Sequence, residues 1–288
     1  MARSIWSGTI SFGLIAIPVK LFTAVRDKGV SFNQLDDRNM GRIRYEKVSE
    51  ADGEVVPAEH IVKGVEISKG RYVIVDPDEL APFVPLATKS IDVEQFVDPA
   101  EIDPVLFDTT YYVAPGAVGA KPYALLVRAL QSTGKVAIVR FVMRSRQYTA
   151  AIRADDGRLT MSTLAYADEL VPAADVEELA GLDAVEVSDR EVKMAEMLVE
   201  SLTAAFDPTK YEDDYRVQVL DLIAKKAAGE EFELPAAAGE PPKIVDMMAA
   251  LEASVAAAKK ARKRHPTALP ATAAKKAPAK RAAARKSA

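Results

Sequence analysis

The side chains best suited to chemistry in this sequence are seven basic residues within 109–154, a segment that contains no Asp or Glu. They are Lys121, Arg128, Lys135, Arg140, Arg144, Arg146 and Arg153. The residue pattern predicts a single strand over 135–146, in which side chains two positions apart share a face. Arg140, Arg144 and Arg146 would then lie on one face, with apolar side chains packed against protein on the other.

A row of guanidinium groups without nearby acids favours an external polyanion, and phosphate is the commonest polyanion that proteins bind. The alternative is an ordinary solvent-exposed strand face whose acidic partners come from other parts of the fold. The sequence leaves both interpretations open.

Charge is strongly segregated along the chain. The net charge of −4 conceals values of −6 over 1–108, +7 over 109–154, −16 over 155–258 and +11 over 259–288. Two basic blocks are therefore attached to an acidic body, so the pI of about 5.5 does not argue against nucleic acid.

Composition excludes several kinds of site. There is no cysteine, which excludes disulfides, thiolate catalysis and cysteine–zinc centres. The two histidines, His60 and His265, are far apart in the sequence, and no spacing of residues demands a metal or another cofactor. The longest apolar run near the start, 14–17, is too short for a secretory or membrane-spanning segment. We therefore expect a cytoplasmic, nucleoid-associated protein without a small-molecule substrate.

The elements needed to position the basic residues are of two kinds. Short strands with closely spaced turns predict a β-barrel or sandwich over roughly the first 165 residues, including a strand from residue 42. Asp155 and Asp156 precede Gly157 and are typical of a hairpin turn rather than of a nuclease metal site. Helices follow, beginning with a capping box at Ser188 and Glu191. The fold class is mixed β and α, and the apolar helix stripes suit subunit contact or packing on the barrel.

The end of the sequence contains three further segments. Residues 229–242 are typical of a linker. A helix over 243–258 carries an apolar stripe that either docks a partner or folds back on its own domain; the stripe consists of Ile244, Met247, Met248, Leu251 and Val255. The tail 259–288 is too polar to fold and resembles basic arms that hold nucleic acid nonspecifically. Its basic residues are Lys259, Lys260, Arg262, Lys263, Arg264, Lys275, Lys276, Lys280, Arg281, Arg285 and Lys286.

Four motifs in order resemble bacterial Ku. They are SIWSGTISFGLIAIPVKLFTAV at 4–25, GRIRYEKV at 41–48, the block 134–170 that begins GKVAIVRFVMRSRQ, and KMAEMLVESL with FDPTKYEDDY over 193–215. The resemblance extends over nearly all of residues 2–258. Where bacterial relatives often place His and Cys, this chain has Asn33, Asp36 and Ser49, so a metal role there is not expected.

The resemblance implies a Ku-type β-barrel over 1–170 with a DNA-encircling bridge, which we assign to 109–154, and an α-helical arm over 171–229. It also implies a homodimeric ring that threads onto double-stranded DNA ends without reading sequence and recruits the ATP-dependent DNA ligase D for non-homologous end joining.

Two competing functions are open. A nucleoid-type architectural protein would bind DNA internally through its basic tail and ignore ends. A strand-processing enzyme, such as a lyase acting through a lysine Schiff base, would need a lysine of low pKa in an apolar pocket. The sequence singles out no such lysine, so we expect a protein that is not an enzyme.

Overall fold

The computed structural model describes residues 2–85 and 88–229. The chain divides into two compact units, the first ending at Glu178 and the second beginning at Leu179. The sequence-predicted linker, docking helix and basic tail beyond residue 229 lie outside the described residues.

Besides short 3-10 helices, the described residues form nine strands and four α-helices. The strands are β1 Trp6–Phe12, β2 Ile15–Thr23, β3 Lys63–Ser68, β4 Arg71–Val75, β5 Ser90–Val97, β6 Phe107–Pro115, β7 Val136–Met143, β8 Arg146–Asp155 and β9 Arg158–Leu164. The helices are α1 Pro77–Leu80, α2 Ala120–Thr133, α3 Asp189–Leu202 and α4 Asp214–Ala228.

Seven of the strands form a closed barrel in the order β1-β2-β6-β9-β8-β7-β5. Neighbouring strands are antiparallel except at the closing seam, where β1 and β5 run parallel over the pairs Thr9–Ser90, Ile10–Ile91 and Ser11–Asp92. Strands β3 and β4 form a separate two-stranded sheet. The predicted barrel is confirmed.

Apolar side chains fill the barrel. Alternate residues of each strand point inward, so that Ile10, Val139 and Ile152 are completely buried. Helix α2 packs its apolar face into the same cluster through Leu126 and Leu130. Because the interior is occupied, the charged residues of the barrel strands lie on its outer wall.

Tyr123 fastens α2 to the barrel. Its buried hydroxyl donates to the carbonyl oxygen of Val113 at 2.7 Å and accepts from the Leu159 N–H at 2.8 Å. Burial raises the pKa of Tyr123, so the hydroxyl remains protonated at neutral pH and keeps both hydrogen bonds. One side chain thereby joins α2 to β6 and β9.

The prediction of one strand over 135–146 is wrong. Strand β7 ends at Met143 and β8 begins at Arg146. Arg144 and Ser145 form the connecting turn, with φ values of 52° and 63°. Two positive φ values in a two-residue hairpin define a turn that Asn-Gly usually occupies, and neither residue here is Asn or Gly, so the sequence carries no turn signal.

Residues 24–89, between β2 and β5, leave the barrel. They include β3, β4 and α1, and none of the side chains described in this segment is buried. The strand predicted from residue 42 does not form. Arg42 and Val48 make only isolated bridges, to Leu35 and Val55 respectively.

The second unit contains the predicted helices. The capping box that begins α3 is confirmed, with the Ser188 hydroxyl accepting from the Glu191 N–H and Glu191 accepting from Ser188. Gly229 ends α4 in the left-handed conformation at φ 76°. None of the side chains described in 179–229 is buried, so the apolar stripes of both helices are at most half-buried among the described residues.

We expect Tyr123→Phe to lower the free energy of unfolding by about 1–3 kcal/mol, because the Leu159 N–H and the Val113 carbonyl lose a buried partner. Urea unfolding followed by circular dichroism measures the change. Tyr112→Phe, which removes a hydroxyl from an exposed tyrosine on the outer wall, is the matched control. Equal stability of the two variants would contradict this role for Tyr123.

Candidate nucleic-acid interface

The seven basic residues of 109–154 lie on barrel strands, on α2 or in the segments that join them. Lys121 and Arg128 are on α2, Lys135 immediately precedes β7, Arg140 is on β7, Arg144 is in the turn, and Arg146 and Arg153 are on β8. The bridge assigned to 109–154 is therefore part of the barrel itself. The segment that leaves the barrel is 24–89.

Three of the seven side chains have acidic partners from other elements. Lys135 pairs with Asp98 at 2.8 Å, Arg140 with Glu94 at 3.3 Å and Arg146 with Glu169 at 3.3 Å. For these three, the solvated-face interpretation is correct. The pairs are exposed, however, and such pairs contribute only ~0–1 kcal/mol, so a phosphate group can replace the carboxylate at little cost.

The other four basic residues form no ion pair with any residue that the structure describes. Arg144 extends from the β7–β8 turn, and Lys121 and Arg128 flank the exposed Leu125 on α2. The Arg153 guanidinium donates to the Thr160 hydroxyl at 3.2 Å and lies 5.8 Å from the Phe107 ring centre. These contacts orient its charge without neutralising it.

The strand register adds a residue that sequence reasoning missed. Arg153 lies opposite Thr160, and Thr160 lies opposite Tyr112, so the three share one row of the outer wall. Arg158 joins this row, with its guanidinium 5.8 Å from the Tyr112 ring centre and 3.1 Å from Asp156. Arg158 lies outside the acid-free segment and opposite Asp155 on β8. Only the pairing of the strands shows that it lies near Tyr112, in the row that contains Arg153.

The other residues that the sequence analysis singled out lie either outside the described residues or in turns and loops. All the tail residues and all the docking-helix residues lie outside the described part of the chain. Asp156 and Gly157 form the predicted turn, with φ values of 46° and 74°. Asp36 accepts two hydrogen bonds from the Arg38 guanidinium and one from the Arg38 backbone N–H, and these bonds lower the pKa of the carboxyl group. Asn33 accepts a hydrogen bond from Arg42.

The described residues offer neither a metal site nor a membrane-spanning helix. They hold no group of three or more His, Asp or Glu side chains arranged to bind a metal ion. No helix among them is long and apolar enough to cross a membrane.

The fold and the site together define a closed β-barrel with a solvent-exposed basic wall and a long excursion between two of its strands. A family model described as the Ku70/Ku80 β-barrel domain matches residues 11–194. The chain belongs to the Ku family.

Curated relatives match almost the whole chain. A protein of Anaeromyxobacter sp. (strain K) named non-homologous end joining protein Ku is 44% identical over 90% of this chain and 87% of its own. One of the same name from Koribacter versatilis is 41% identical over 91% and 89%. The SPOC domain of human PHD-finger protein 3 shares only 12% identity, covers 56% of this chain and 95% of its own, and has a TM-score of 0.29, below the level that indicates a common fold.

Replacing Arg140, Arg144 and Arg146 together by Ala should weaken duplex binding equally for all sequences. The slope of log K against log salt should fall by up to ~0.9 for each phosphate group that the protein no longer neutralises. Among the single variants, Arg144→Ala should have the largest effect, because its charge is unpaired whereas the other two must exchange a glutamate for phosphate.

Fluorescence anisotropy with duplexes of unrelated sequence, at several salt concentrations, measures both quantities. The matched control replaces Lys193, Lys210 and Lys226, three exposed lysines of the second unit, by Ala. An unchanged slope in the arginine variant would show that these side chains do not touch DNA.

Proposed function

We propose that this chain binds the ends of double-stranded DNA without reading sequence, as a homodimeric ring that serves non-homologous end joining. The observation that carries the proposal is the family membership together with the names of relatives 41–44% identical over about 90% of the chain. The basic residues on the outer wall of the barrel would bind the DNA phosphates.

Sequence-independent binding has to rest on the phosphate backbone, because base edges differ from site to site. Arg140, Arg144 and Arg153 are exposed on the outer wall or its turn. The aromatic rings nearby do not offer free stacking surfaces, since Arg146, Arg153 and Arg158 each lie over one of them. Stacking surfaces suit single strands, so this arrangement favours a duplex.

A second copy of the chain would cover the apolar surface that one copy leaves exposed. On α3, Val192, Val199 and Leu202 are 43%, 66% and 67% exposed. In the excursion 24–89, Phe32 and Tyr45 are 67% and 81% exposed. Large apolar side chains exposed on a surface are typical of an interface, and a symmetric dimer is the commonest way to bury them.

We assign the ring's bridge to 24–89. A segment that leaves the barrel at β2 and returns at β5 can extend around a duplex, whereas β7 and β8 are fixed in the wall by pairing on both sides. In this proposal the basic wall forms the base of the ring and the excursion closes it. The described part of the second unit, 179–229, is acidic and would repel phosphate, so we assign no DNA contact to it.

Recruitment of the ATP-dependent ligase D is the remaining part of the proposal. Its support is the apolar stripe of the sequence-predicted helix 243–258, which suits a groove on a partner protein. The basic tail 259–288 would add retention on DNA or join two DNA molecules.

The alternative of an architectural binder is favoured by one feature, the tail of eleven basic and no acidic residues. Competition between a closed circular plasmid and the same plasmid cut once separates the two functions, since a ring needs an end to load. We expect the cut plasmid to compete far more strongly for both the full chain and a chain lacking 259–288, with faster dissociation of the shortened chain.

If the shortened chain fails to bind DNA, the interface lies in the tail and not on the barrel wall. If the circle competes as well as the linear form, the architectural function is correct. A lysine adduct trapped with borohydride on an abasic duplex would instead support the lyase.

Replacing Val192 and Val199 by Asp should convert the dimer to a monomer, because charges in an apolar interface are not compensated. Native mass spectrometry measures the state, and Glu196→Asp with Glu200→Asp on the same helix is the control. A dimer that persists in the valine variant would exclude α3 from the interface.

A further inference from the structure

We propose that the closing seam of the barrel carries a phosphate-binding site distinct from the row of arginines. A depression of about 390 Å³ lies where β1, β2 and the start of β5 meet. Its polar lining residues are Ser7, Thr9, Lys20, Thr88, Lys89 and Ser90. Ile10 is completely buried in the barrel, so the alternation along β1 places Thr9 on the outer wall.

The depression has the chemistry of an anion site. Its lining residues include two lysines and four residues with hydroxyl groups, and none of them is acidic. Neither lysine forms an ion pair with any residue that the structure describes. The nearest acid on the strand, Asp92, accepts a hydrogen bond of 2.5 Å from the Ser90 hydroxyl.

Backbone geometry holds Lys89 in place. Lys89 has a φ of 52°, an uncommon conformation for a residue other than glycine. Its carbonyl oxygen accepts from the Thr9 N–H at 2.9 Å. A Cβ atom on Gly8 would lie 2.1 Å from that oxygen and 2.1 Å from the Trp6 ring, so a larger residue would push Lys89 away. Glycine at position 8 therefore keeps the Lys89 backbone close to β1, at the edge of the depression.

Phosphate oxygens are the ligand that fits these donors. Lysine binds phosphate as a point charge, and hydroxyl groups donate to the remaining oxygens. The hydroxyl groups of Ser7 and Thr9 make no hydrogen bond to a described residue, so both are available. The phosphate can be an internal phosphodiester, the terminal phosphate of a DNA end, or free inorganic phosphate. The first two sources rest on the proposed function, and the third does not.

Two variants of the full chain test the site, with radiolabelled inorganic phosphate as the probe in equilibrium dialysis. Lys20→Gln with Lys89→Gln removes both charges. Ser7→Ala with Thr9→Val removes two donors without changing charge. We expect each to weaken phosphate binding at this site by about tenfold or more. Lys210→Gln with Lys226→Gln removes two exposed lysines of the second unit and should leave the binding unchanged.

Blunt duplexes with 5′-phosphate or 5′-hydroxyl ends identify the source. If the site holds the terminal phosphate, the chain should prefer the phosphorylated duplex and both variants should lose that preference. If it holds an internal phosphodiester, the lysine variant should weaken both duplexes equally and lower the salt slope by about 0.9.

Phosphate binding that is equal in the original chain and in both variants would overturn the site, even if DNA ends still bind. Failure of the original chain to bind DNA ends would instead refute the proposed function, while the dialysis result would still decide the site. Thermal unfolding at the same temperature for all chains verifies that the variants are folded.

Discussion

The filled interior of the barrel is the constraint on which the basic surface depends. Side chains such as Ile10, Val139 and Ile152 are completely buried, and α2 packs against them through Leu126. With no room inside, the period of two along each strand sends Arg140 and Arg153 to the outer wall. A core that is ordinary in composition thereby decides where the basic side chains lie.

The apolar residues outside the barrel impose a second constraint, because they remain exposed to solvent. The excursion 24–89 and the helices α3 and α4 have no buried side chain among the described residues. All three are nevertheless rich in apolar residues. Such surface is costly to leave in water. The proposed dimer satisfies this requirement, and in the same step it encloses the space beside the basic wall. Dimerisation and DNA binding are therefore parts of one arrangement in this account.

Sequence reasoning was most reliable where local signals are strong. The capping box at Ser188 and Glu191 starts α3, and the Asp156-Gly157 turn joins β8 to β9. It failed at Arg144 and Ser145, because tertiary pairing imposes a turn that neither residue favours.

Pairing between residues distant in the sequence explains the other features of the structure that the sequence did not predict. The ion pair of Arg140 with Glu94 depends on β5 lying beside β7, a neighbour that is 46 positions away along the chain. Sequence reasoning misses Arg158 and Lys20 because no acid-free segment marks them. In the sequence, the excursion 24–89 contains strand patterns like those of the barrel. Only the strand order shows that its strands, β3 and β4, form a separate sheet.

In the proposed ring, two chains surround the duplex, so that release requires an end. The most direct measurement loads the protein on a linear plasmid, closes the plasmid by ligation, and then raises the salt concentration until ionic contacts fail. A ring should remain on the closed circle and leave when the circle is cut once. Equal release from closed and cut DNA at the same salt concentration would contradict the account.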